Sequence, residues 1–214
     1  MRKIIVLENS NLASSTDLPF KFDIYAVVSL AQEAGKKILS IYSQGFEIYE
    51  KADKSPLTEA DLLSHKTIIE GLAQITPDIP VLSEESSKDE ILNRLSWETY
   101  WLIDPLDGTK EFVKRNGEFT VNIALVHKHE PVFGVVHAPV LEVTYWGGEN
   151  LGAHKIQENK TNVINIRKRP SDTAEWKIVG SRSHHSDDYK IFTEKYPDAE
   201  LTATGASLKL CLVA

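Results

Sequence analysis

Two aspartates near the middle of the chain follow a short apolar run. Asp104 comes directly after residues 101–103, and Asp107 lies three positions further along. Because Pro105 and Gly108 favour a tight turn, we expect both carboxylates to point at one spot. Two carboxylates held this close repel each other unless one keeps its proton or a cation lies between them. The pattern therefore predicts a site for a hard divalent cation such as Mg²⁺.

A second pair of carboxylates, Glu84 and Glu85, follows another short apolar segment. One of them would add a third carboxylate to the site, and the Leu106 carbonyl in the predicted turn would add an uncharged oxygen ligand. Two metal ions about 4 Å apart can stabilise both the attacking and the leaving oxygen of a phosphoryl transfer. The chemistry that these residues favour is therefore metal-assisted phosphoryl transfer with two or more ions.

Each of these acidic residues also has a purely structural interpretation. Asp61, with Thr58 three positions before it, fits a capping box at a helix start. Glu84 and its neighbour fit a solvated acidic loop, and Asp104 and Asp107 are ordinary turn residues. On residue type alone the cap is favoured for Asp61 and the solvated loop for Glu84 and its neighbour, whereas both interpretations stay open for Asp104 and Asp107. For the two aspartates, the apolar run before Asp104 favours the functional interpretation.

Helical periodicity precedes the acidic segments, and strand patterns follow them. Apolar residues recur at three- and four-residue steps over 22–43 and 58–75, which predicts two amphipathic helices. The remaining predicted elements are strands over 46–49, 80–83, 100–103, 119–127, 131–137, 140–145 and 175–180, and helices over 87–95, 187–196 and 206–214. This layout predicts an α/β fold, built as a layered α+β sandwich with a mostly antiparallel sheet between helices.

The elements divide the chain into three predicted segments. Residues 1–19 are polar and form a flexible N-terminal arm. Residues 20–145 form an N-terminal α+β domain with the metal site, and 146–214 form the start of a smaller, incomplete C-terminal α/β domain. The helix-like segment at the end carries no stop signal, so we expect a truncated chain that is less stable than a longer form.

The composition restricts the class of partner. Of the 214 residues, 42% are hydrophobic and 26% charged, which suits a globular protein with a real core. The net charge of -7 argues against a nucleic-acid polymer, although a small anion can bind where cations supply positive charge. Cys211 is the single cysteine, and the apolar run 4–7 is too short for a signal peptide or an integral membrane segment. These features predict a cytoplasmic protein, with peripheral attachment to the cytoplasmic side of the inner membrane as an alternative.

Together, the acidic segments resemble the inositol-monophosphatase superfamily. Residues 104–109 are similar to its metal-binding signature, 82–85 to its upstream acidic motif, and 51–61 to its first active-site loop and helix. Residues 110–112 and 115–125 look like the branch of bacterial 3′(2′),5′-bisphosphate nucleotidases. Inositol monophosphatases usually carry Thr-Asn-Phe where this chain has Lys-Glu-Phe.

The resemblance extends over residues 24–214 and implies a fold, an activity and a cofactor. It implies the inositol-monophosphatase fold, with its C-terminal part truncated here. It implies a phosphatase that requires two or three Mg²⁺ ions and is inhibited by lithium. The implied substrate is a small nucleotide bisphosphate, adenosine 3′,5′-bisphosphate, which loses its 3′-phosphate to give AMP in sulfur assimilation and nucleotide recycling.

The resemblance also implies a role for individual residues. The implied metal ligands are Glu84, Asp104, the Leu106 carbonyl and Asp107, and the implied pair that activates water is Asp61 and Thr109. The residues implied to contact the substrate are Glu84, Leu106, Asp107, the amides of Gly108 and Thr109, Lys51, His184 and Lys209. The family's further metal-ligating aspartate, in a Trp-Asp dipeptide, has no match after Asp107, so we expect an incomplete second metal site and low activity.

Three alternatives remain open. Haloacid-dehalogenase phosphatases also use an Asp-Gly-Thr string, but their two aspartates lie two positions apart, whereas Asp104 and Asp107 are three apart. An inositol or sugar monophosphatase of the same superfamily is the main competitor. A non-catalytic ligand-binding protein is the third alternative, and the unmatched aspartate is its only support.

Overall fold

A computed structural model describes residues 21–50, 56–166, 168, 176–182 and 186–213. The helices are α1 (Ile24–Tyr42), α2 (Glu59–Ile75), α3 (Lys88–Asn93), α4 (Thr109–Val113), α5 (Asp187–Thr193) and α6 (Leu208–Cys211), and a 3₁₀ turn spans Arg94–Ser96. The strands are β1 (Ile48–Glu50), β2 (Pro56–Thr58), β3 (Val81–Ser83), β4 (Thr99–Asp107), β5 (Thr120–His127), β6 (Glu130–Ala138), β7 (Val143–Gly148), β8 (Gly152–Gln157), β9 (Lys160–Ile164), β10 (Lys177–Ser181) and β11 (Glu200–Thr204). The predicted arm 1–19 lies outside the described residues.

Both long predicted helices are confirmed, and each begins at a side chain that caps it. Asp23 caps α1 by accepting hydrogen bonds from the amides of Tyr25 and Ala26 at 2.9 and 3.3 Å. Thr58 caps α2, and Asp61 completes the capping box, so the structural interpretation of Asp61 is confirmed. These caps satisfy amides that have no acceptor within the helix. Within the described part of the chain, none of the helices is long and apolar enough to cross a bilayer.

A seven-stranded sheet runs in the order β3-β4-β5-β6-β7-β8-β9, and α1 and α2 pack together on one face of it. β3 is parallel to β4, and the other neighbouring pairs are antiparallel, which confirms the predicted mostly antiparallel sheet. Successive side chains of a strand point to opposite faces. Along β4 this alternation buries Trp101 and Ile103 beneath the helices and leaves Leu102 more exposed on the other face.

The core between the helices and the sheet is built around aromatic rings. Phe133 is 2% exposed and meets Phe22 edge-to-face, with 5.4 Å between ring centroids. Trp101 lies edge-on to both rings, and its indole N–H donates to Thr76 Oγ1 at 2.8 Å. The buried indole therefore has its one hydrogen-bond donor satisfied.

Replacement of Phe133 by alanine should reduce the free energy of unfolding by about 3–5 kcal/mol, because it leaves a cavity between two aromatic rings. Urea denaturation of the unsubstituted protein and of Phe133→Ala measures this difference. Leu141→Ala is the control, since Leu141 is 51% exposed and its loss should change stability by less than about 0.5 kcal/mol. Equal losses for the two variants would contradict this description of the core.

The large sheet extends beyond the predicted domain boundary. Residue 145 falls inside β7, and β8 and β9 continue the same sheet to Ile164. A separate parallel pair of strands, β10 and β11, follows with α5 and α6. The sequence patterns did not indicate β8 and β9 because neither strand has a buried face: β8 is only partly buried, and the edge strand β9 is mostly exposed. We therefore place the end of the first domain after Ile164, and the division into two domains remains a prediction.

Candidate active site

The ends of two neighbouring strands bring the first two predicted metal ligands together. Ser83, at the end of β3, lies opposite Ile103 of β4. The Glu84 amide donates to the Ile103 carbonyl at 3.1 Å, which continues this pairing by one residue. Glu84 therefore lies beside Asp104, and their side chains are joined by a hydrogen bond.

The segment from Asp104 to Asp107 is a strand with a bulge rather than the predicted tight turn. β4 continues to Asp107, and its register against β5 shifts between the two aspartates. The turn does not form because β5 pairs on both sides of the shift, with Asn122 opposite Asp104 and Thr120 opposite Asp107. The bulge still keeps the two aspartates close enough for the charge of Asp107 to act on Asp104.

Within the acidic cluster of Glu84, Asp104 and Asp107, the pKa of Asp104 is raised. Burial raises the pKa of Asp104 to about 8, and the charges of Glu84 and Asp107 and the hydrogen bond with Glu84 act in the same direction. The Leu106 amide, which donates to Asp104 Oδ1 at 3.2 Å, opposes this rise. A divalent cation would oppose the effects of burial and charge repulsion that make Asp104 hold its proton.

Hydrogen-bond donors occupy one oxygen of Asp107. Its Oδ2 accepts from Ser207 Oγ at 2.5 Å, Asn122 Nδ2 at 3.2 Å and Thr120 Oγ1 at 3.5 Å. This arrangement leaves Oδ1 as the oxygen available to a cation. Among the residues that the structure describes, the buried Asn122 Oδ1 has no hydrogen-bond partner. A buried acceptor of this kind beside an acidic cluster fits a site that holds an ion with its water.

The acidic cluster forms an open site rather than a closed cage. Within the described ranges, no three acidic, histidine or cysteine side chains converge closely enough to hold a metal by themselves. Mg²⁺ is commonly bound by one or two carboxylates and completes its shell with waters and substrate phosphates. A cavity of about 500 Å³, with a largely apolar lining, borders Glu84, Asp104 and Asn122. The cluster and the Leu106 carbonyl therefore fit Mg²⁺.

Binding of Mg²⁺ should release a proton from Asp104. The cation-free protein keeps this proton below about pH 8, whereas a ligand to Mg²⁺ must be ionised. The apparent affinity should therefore rise as the pH increases from about 6 towards about 8 and level off above that value. Titration calorimetry in two buffers of different ionisation enthalpy measures the protons released. An affinity independent of pH, with no proton release, would contradict the raised pKa.

Asp61 uses its two oxygens for different partners. Oδ2 accepts from the amide and hydroxyl of Thr58 at 2.8 and 2.6 Å, whereas Oδ1 accepts from Thr109 Oγ1 at 3.3 Å. The same Thr109 hydroxyl lies 3.2 Å from the Leu106 carbonyl. The helix cap and the predicted contact of Asp61 with Thr109 therefore coexist, and the cap holds this buried carboxylate in place.

The next residues of α2 hold the strands that carry the acidic cluster. Ser64 Oγ donates to the Pro105 carbonyl at 2.7 Å, between the two aspartates. His65 Nδ1 lies 2.8 Å from Ser83 Oγ, directly before Glu84. One helix thus contacts the end of β3, the bulge of β4 and Thr109, which explains how a cap residue reaches the site.

Gly108 links the bulge to α4 in a conformation that suits glycine. Its φ is +90°, and an added Cβ would lie 3.1 Å from the Glu118 carbonyl oxygen and 3.2 Å from Ala206 Cβ. The turn places Thr109 at the start of α4, where amides have no acceptor within the helix. This geometry supports the predicted contact of the Gly108 and Thr109 amides with phosphate, which remains a prediction.

The predicted substrate contacts from other segments have different outcomes. Lys51 and His184 lie outside the described residues. Lys209, in α6, donates to the Ala206 carbonyl. Ser207, two residues before Lys209, contacts Asp107 directly, so the start of α6 lies at the acidic cluster.

Sequence reasoning assigned no role to three residues that contact Asp107, namely Thr120, Asn122 and Ser207. A signal for two of them exists in β5, where Thr120 and Asn122 are polar positions in a mainly apolar strand and share one face. No comparable pattern exists for Ser207, which reaches Asp107 from 100 residues away.

Comparison with known proteins gives results consistent with this geometry. The profile of the Inositol monophosphatase family matches residues 22–214. The 3′(2′),5′-bisphosphate nucleotidase CysQ of Salmonella typhimurium is 46% identical over 190 residues, which cover 88% of this chain and 75% of that protein. CysQ of Haemophilus influenzae is 35% identical, with coverage of 88% and 70%.

Solved structures show the same similarity. CysQ from Bacteroides thetaiotaomicron, a bacterial member of the inositol monophosphatase family, has a TM-score of 0.73 at 39% identity. The match covers 89% of this chain and 75% of that one. The IMPase of Thermotoga maritima has a TM-score of 0.67 at 25% identity, with coverage of 88% and 70%.

Proposed function

Because the chain belongs to the inositol monophosphatase family, whose fold it has, we propose the reaction that its acidic cluster supports best. The protein is a metal-dependent 3′(2′),5′-bisphosphate nucleotidase that hydrolyses the 3′-phosphate of adenosine 3′,5′-bisphosphate to AMP and phosphate. The observation that carries the reaction type is the Thr109 hydroxyl, which donates to Asp61 beside the acidic cluster. The choice of substrate is supported by the CysQ relatives, which are 46% and 35% identical to this chain.

In this proposal, the acidic cluster holds the cofactor. Glu84, Asp104, Asp107 and the Leu106 carbonyl would bind two or three Mg²⁺ ions. When bound, these ions supply Lewis acidity toward phosphoryl oxygens and lower the pKa of water. Asp107 would present Oδ1, because its Oδ2 is occupied by donors.

Thr109 and Asp61 would remove a proton from the attacking water. The Thr109 hydroxyl donates to Asp61 Oδ1, so its oxygen can accept a hydrogen bond from that water. As the water oxygen bonds to phosphorus, its proton moves to Thr109 and the hydroxyl proton moves to Asp61. The bond from phosphorus to the ribose 3′-oxygen breaks, and AMP leaves with a 3′-hydroxyl that takes its proton from solvent.

The proposed substrate is a polyanion, whereas the chain carries a net charge of -7. Cations in the acidic cluster would offset the charge of the phosphate that is cleaved. The other phosphate and the nucleoside would meet Lys51, His184 and Lys209, and the amides of Gly108 and Thr109 would donate to phosphate oxygens. These assignments follow the family's motifs and are part of the proposal.

A comparison of phosphate release from two substrates tests the proposal. With Mg²⁺ present, kcat/KM should be much higher for adenosine 3′,5′-bisphosphate than for inositol 1-phosphate, and chelation should abolish both activities. Preference for inositol 1-phosphate would identify the monophosphatase alternative. Binding of the nucleotide without any phosphate release would identify a non-catalytic binder.

A further inference from the structure

The segment before α6 contacts the large sheet domain at the acidic cluster. Gly205 donates its amide to Glu118 Oε2 at 2.9 Å, and Ser207 Oγ donates to Asp107 Oδ2 at 2.5 Å. A Cβ on Gly205 would lie 2.6 Å from Glu111 Cγ, so the backbone approaches the sheet domain closely here. We call residues 205–207 the docking turn.

Ser207 is one corner of a closed polar triangle with Asp107 and Asn122. Asn122 Nδ2 donates to Ser207 Oγ at 2.9 Å and to Asp107 Oδ2 at 3.2 Å, while Ser207 donates to Asp107. The Asn122 amide orientation follows from this arrangement, because the reverse orientation would place its oxygen against the carboxylate. The triangle restrains Asp107 on the side away from Oδ1, and one of its corners comes from the docking turn.

A second contact holds the docking turn in place. Arg182, which follows β10, donates through Nε and Nη2 to the two oxygens of Glu118, each at 2.6 Å. Nη2 also donates to the Ala203 carbonyl in β11, at 2.6 Å. Arginine in this forked geometry restrains orientation as well as distance. The carboxylate of Glu118 therefore holds both the docking turn and Arg182, and Arg182 in turn contacts β11.

We propose that Ser207 is a positioning residue that couples nucleotide binding to cation binding at Asp107. Ser207 is the residue directly before α6, and Lys209 lies two residues later in that short helix, so a ligand that fixes the start of α6 also fixes the Ser207 hydroxyl. Asp107 is then held with Oδ1 towards the cation. Because such coupling is reciprocal, a bound cation in turn favours the position of α6 in which Ser207 contacts Asp107. The identity of the ligand as a nucleotide rests on the proposed function, whereas the effect of Ser207 on the cation does not.

Calorimetric titration of Mg²⁺ with and without saturating AMP tests the coupling. In the unsubstituted protein, AMP should tighten Mg²⁺ binding several-fold. Ser207→Ala should weaken Mg²⁺ binding without AMP by about tenfold, the range seen when a partner of a metal ligand is lost. It should also remove most of the tightening by AMP, whereas Ser207→Thr, which keeps a hydroxyl, should restore both.

Two further variants separate a positioning role from loss of structure. Ser40→Ala removes an exposed hydroxyl that bonds only within its own helix, and it should leave both affinities unchanged. Arg182→Gln leaves the polar triangle intact and should reduce the tightening by AMP. Wild-type Mg²⁺ affinity and wild-type tightening in Ser207→Ala would overturn the proposal, as would full tightening in Arg182→Gln. Failure of the unsubstituted protein to bind AMP would instead contradict the proposed nucleotide substrate, while the Mg²⁺ titration would still test Ser207.

Discussion

Replacing Asp107 with asparagine should lower kcat for adenosine 3′,5′-bisphosphate by more than about a hundredfold. Loss of a residue that only supports a metal ligand already lowers metal affinity or activity by roughly 10- to 100-fold, and Asp107 is proposed as a ligand itself. Asparagine preserves the size of the side chain and can still accept hydrogen bonds from Ser207 and Asn122 through its oxygen. Its NH₂ group would then face the cation in place of Oδ1. The loss should therefore come from the missing charge and ligand and not from unfolding.

Steady-state phosphate release at saturating Mg²⁺, together with a thermal melt, measures both effects of this substitution. Asp198→Asn is the matched control, because Asp198 is exposed and should keep its turnover when neutralised. Removal of one charge from the acidic cluster should also lower the pKa of Asp104, since Asp107 is one of the groups that raise it. Near-normal turnover of Asp107→Asn would show that the metal site has been assigned to the wrong residues.

Asp61→Asn should lower kcat by about 10²- to 10⁴-fold with a small change in KM, because a general base acts in the chemical step. Asparagine cannot take the proton that passes through Thr109. The same substitution also weakens the helix cap, since Asp61 Oδ2 accepts from both the amide and the hydroxyl of Thr58. We therefore expect a loss of stability of about 1 kcal/mol in addition to the loss of rate.

Thr58→Val and Thr109→Ser separate these two effects. Thr58→Val removes the capping hydroxyl but leaves the Asp61 carboxylate, so it should lose comparable stability and retain far more activity. Thr109→Ser keeps the hydroxyl that donates to Asp61 and should retain most of the rate. Measurements of kcat and urea denaturation for the three variants distinguish the outcomes. If Thr58→Val and Asp61→Asn lost equal activity, Asp61 would act only through the helix start.

The elements that hold the site differ in how well they could be predicted. The helices at 22–43 and 58–75 show a clear three- and four-residue period, and the structure has them at Ile24–Tyr42 and Glu59–Ile75. The last two strands of the sheet, β8 and the edge strand β9, are at most partly buried and show no comparable pattern. Burial of one face produces periodicity, so elements without a buried face are hard to predict.

The acidic cluster was predicted from residue types and spacing, although the local geometry was wrong. Pro105 and Gly108 suggested a tight turn between the aspartates, whereas pairing with β5 keeps the segment extended as a bulge. A turn and a bulge both bring two nearby carboxylates together. Prediction of the two aspartates as neighbours therefore did not require the correct backbone, since they are separated by only three positions. Glu84, in contrast, reaches Asp104 through the pairing of β3 with β4.

The sequence by itself determined the acidic residues, the two long helices and the family, because these depend on residue type and on short-range spacing. The tertiary structure alone decided how Asp107 is held. Ser207 lies 100 residues from Asp107, and Arg182 lies 64 residues from Glu118. No local periodicity relates residues so far apart in the chain. Their contact follows from the way the small sheet and α6 pack on the large sheet, and packing of that kind is set by the whole fold.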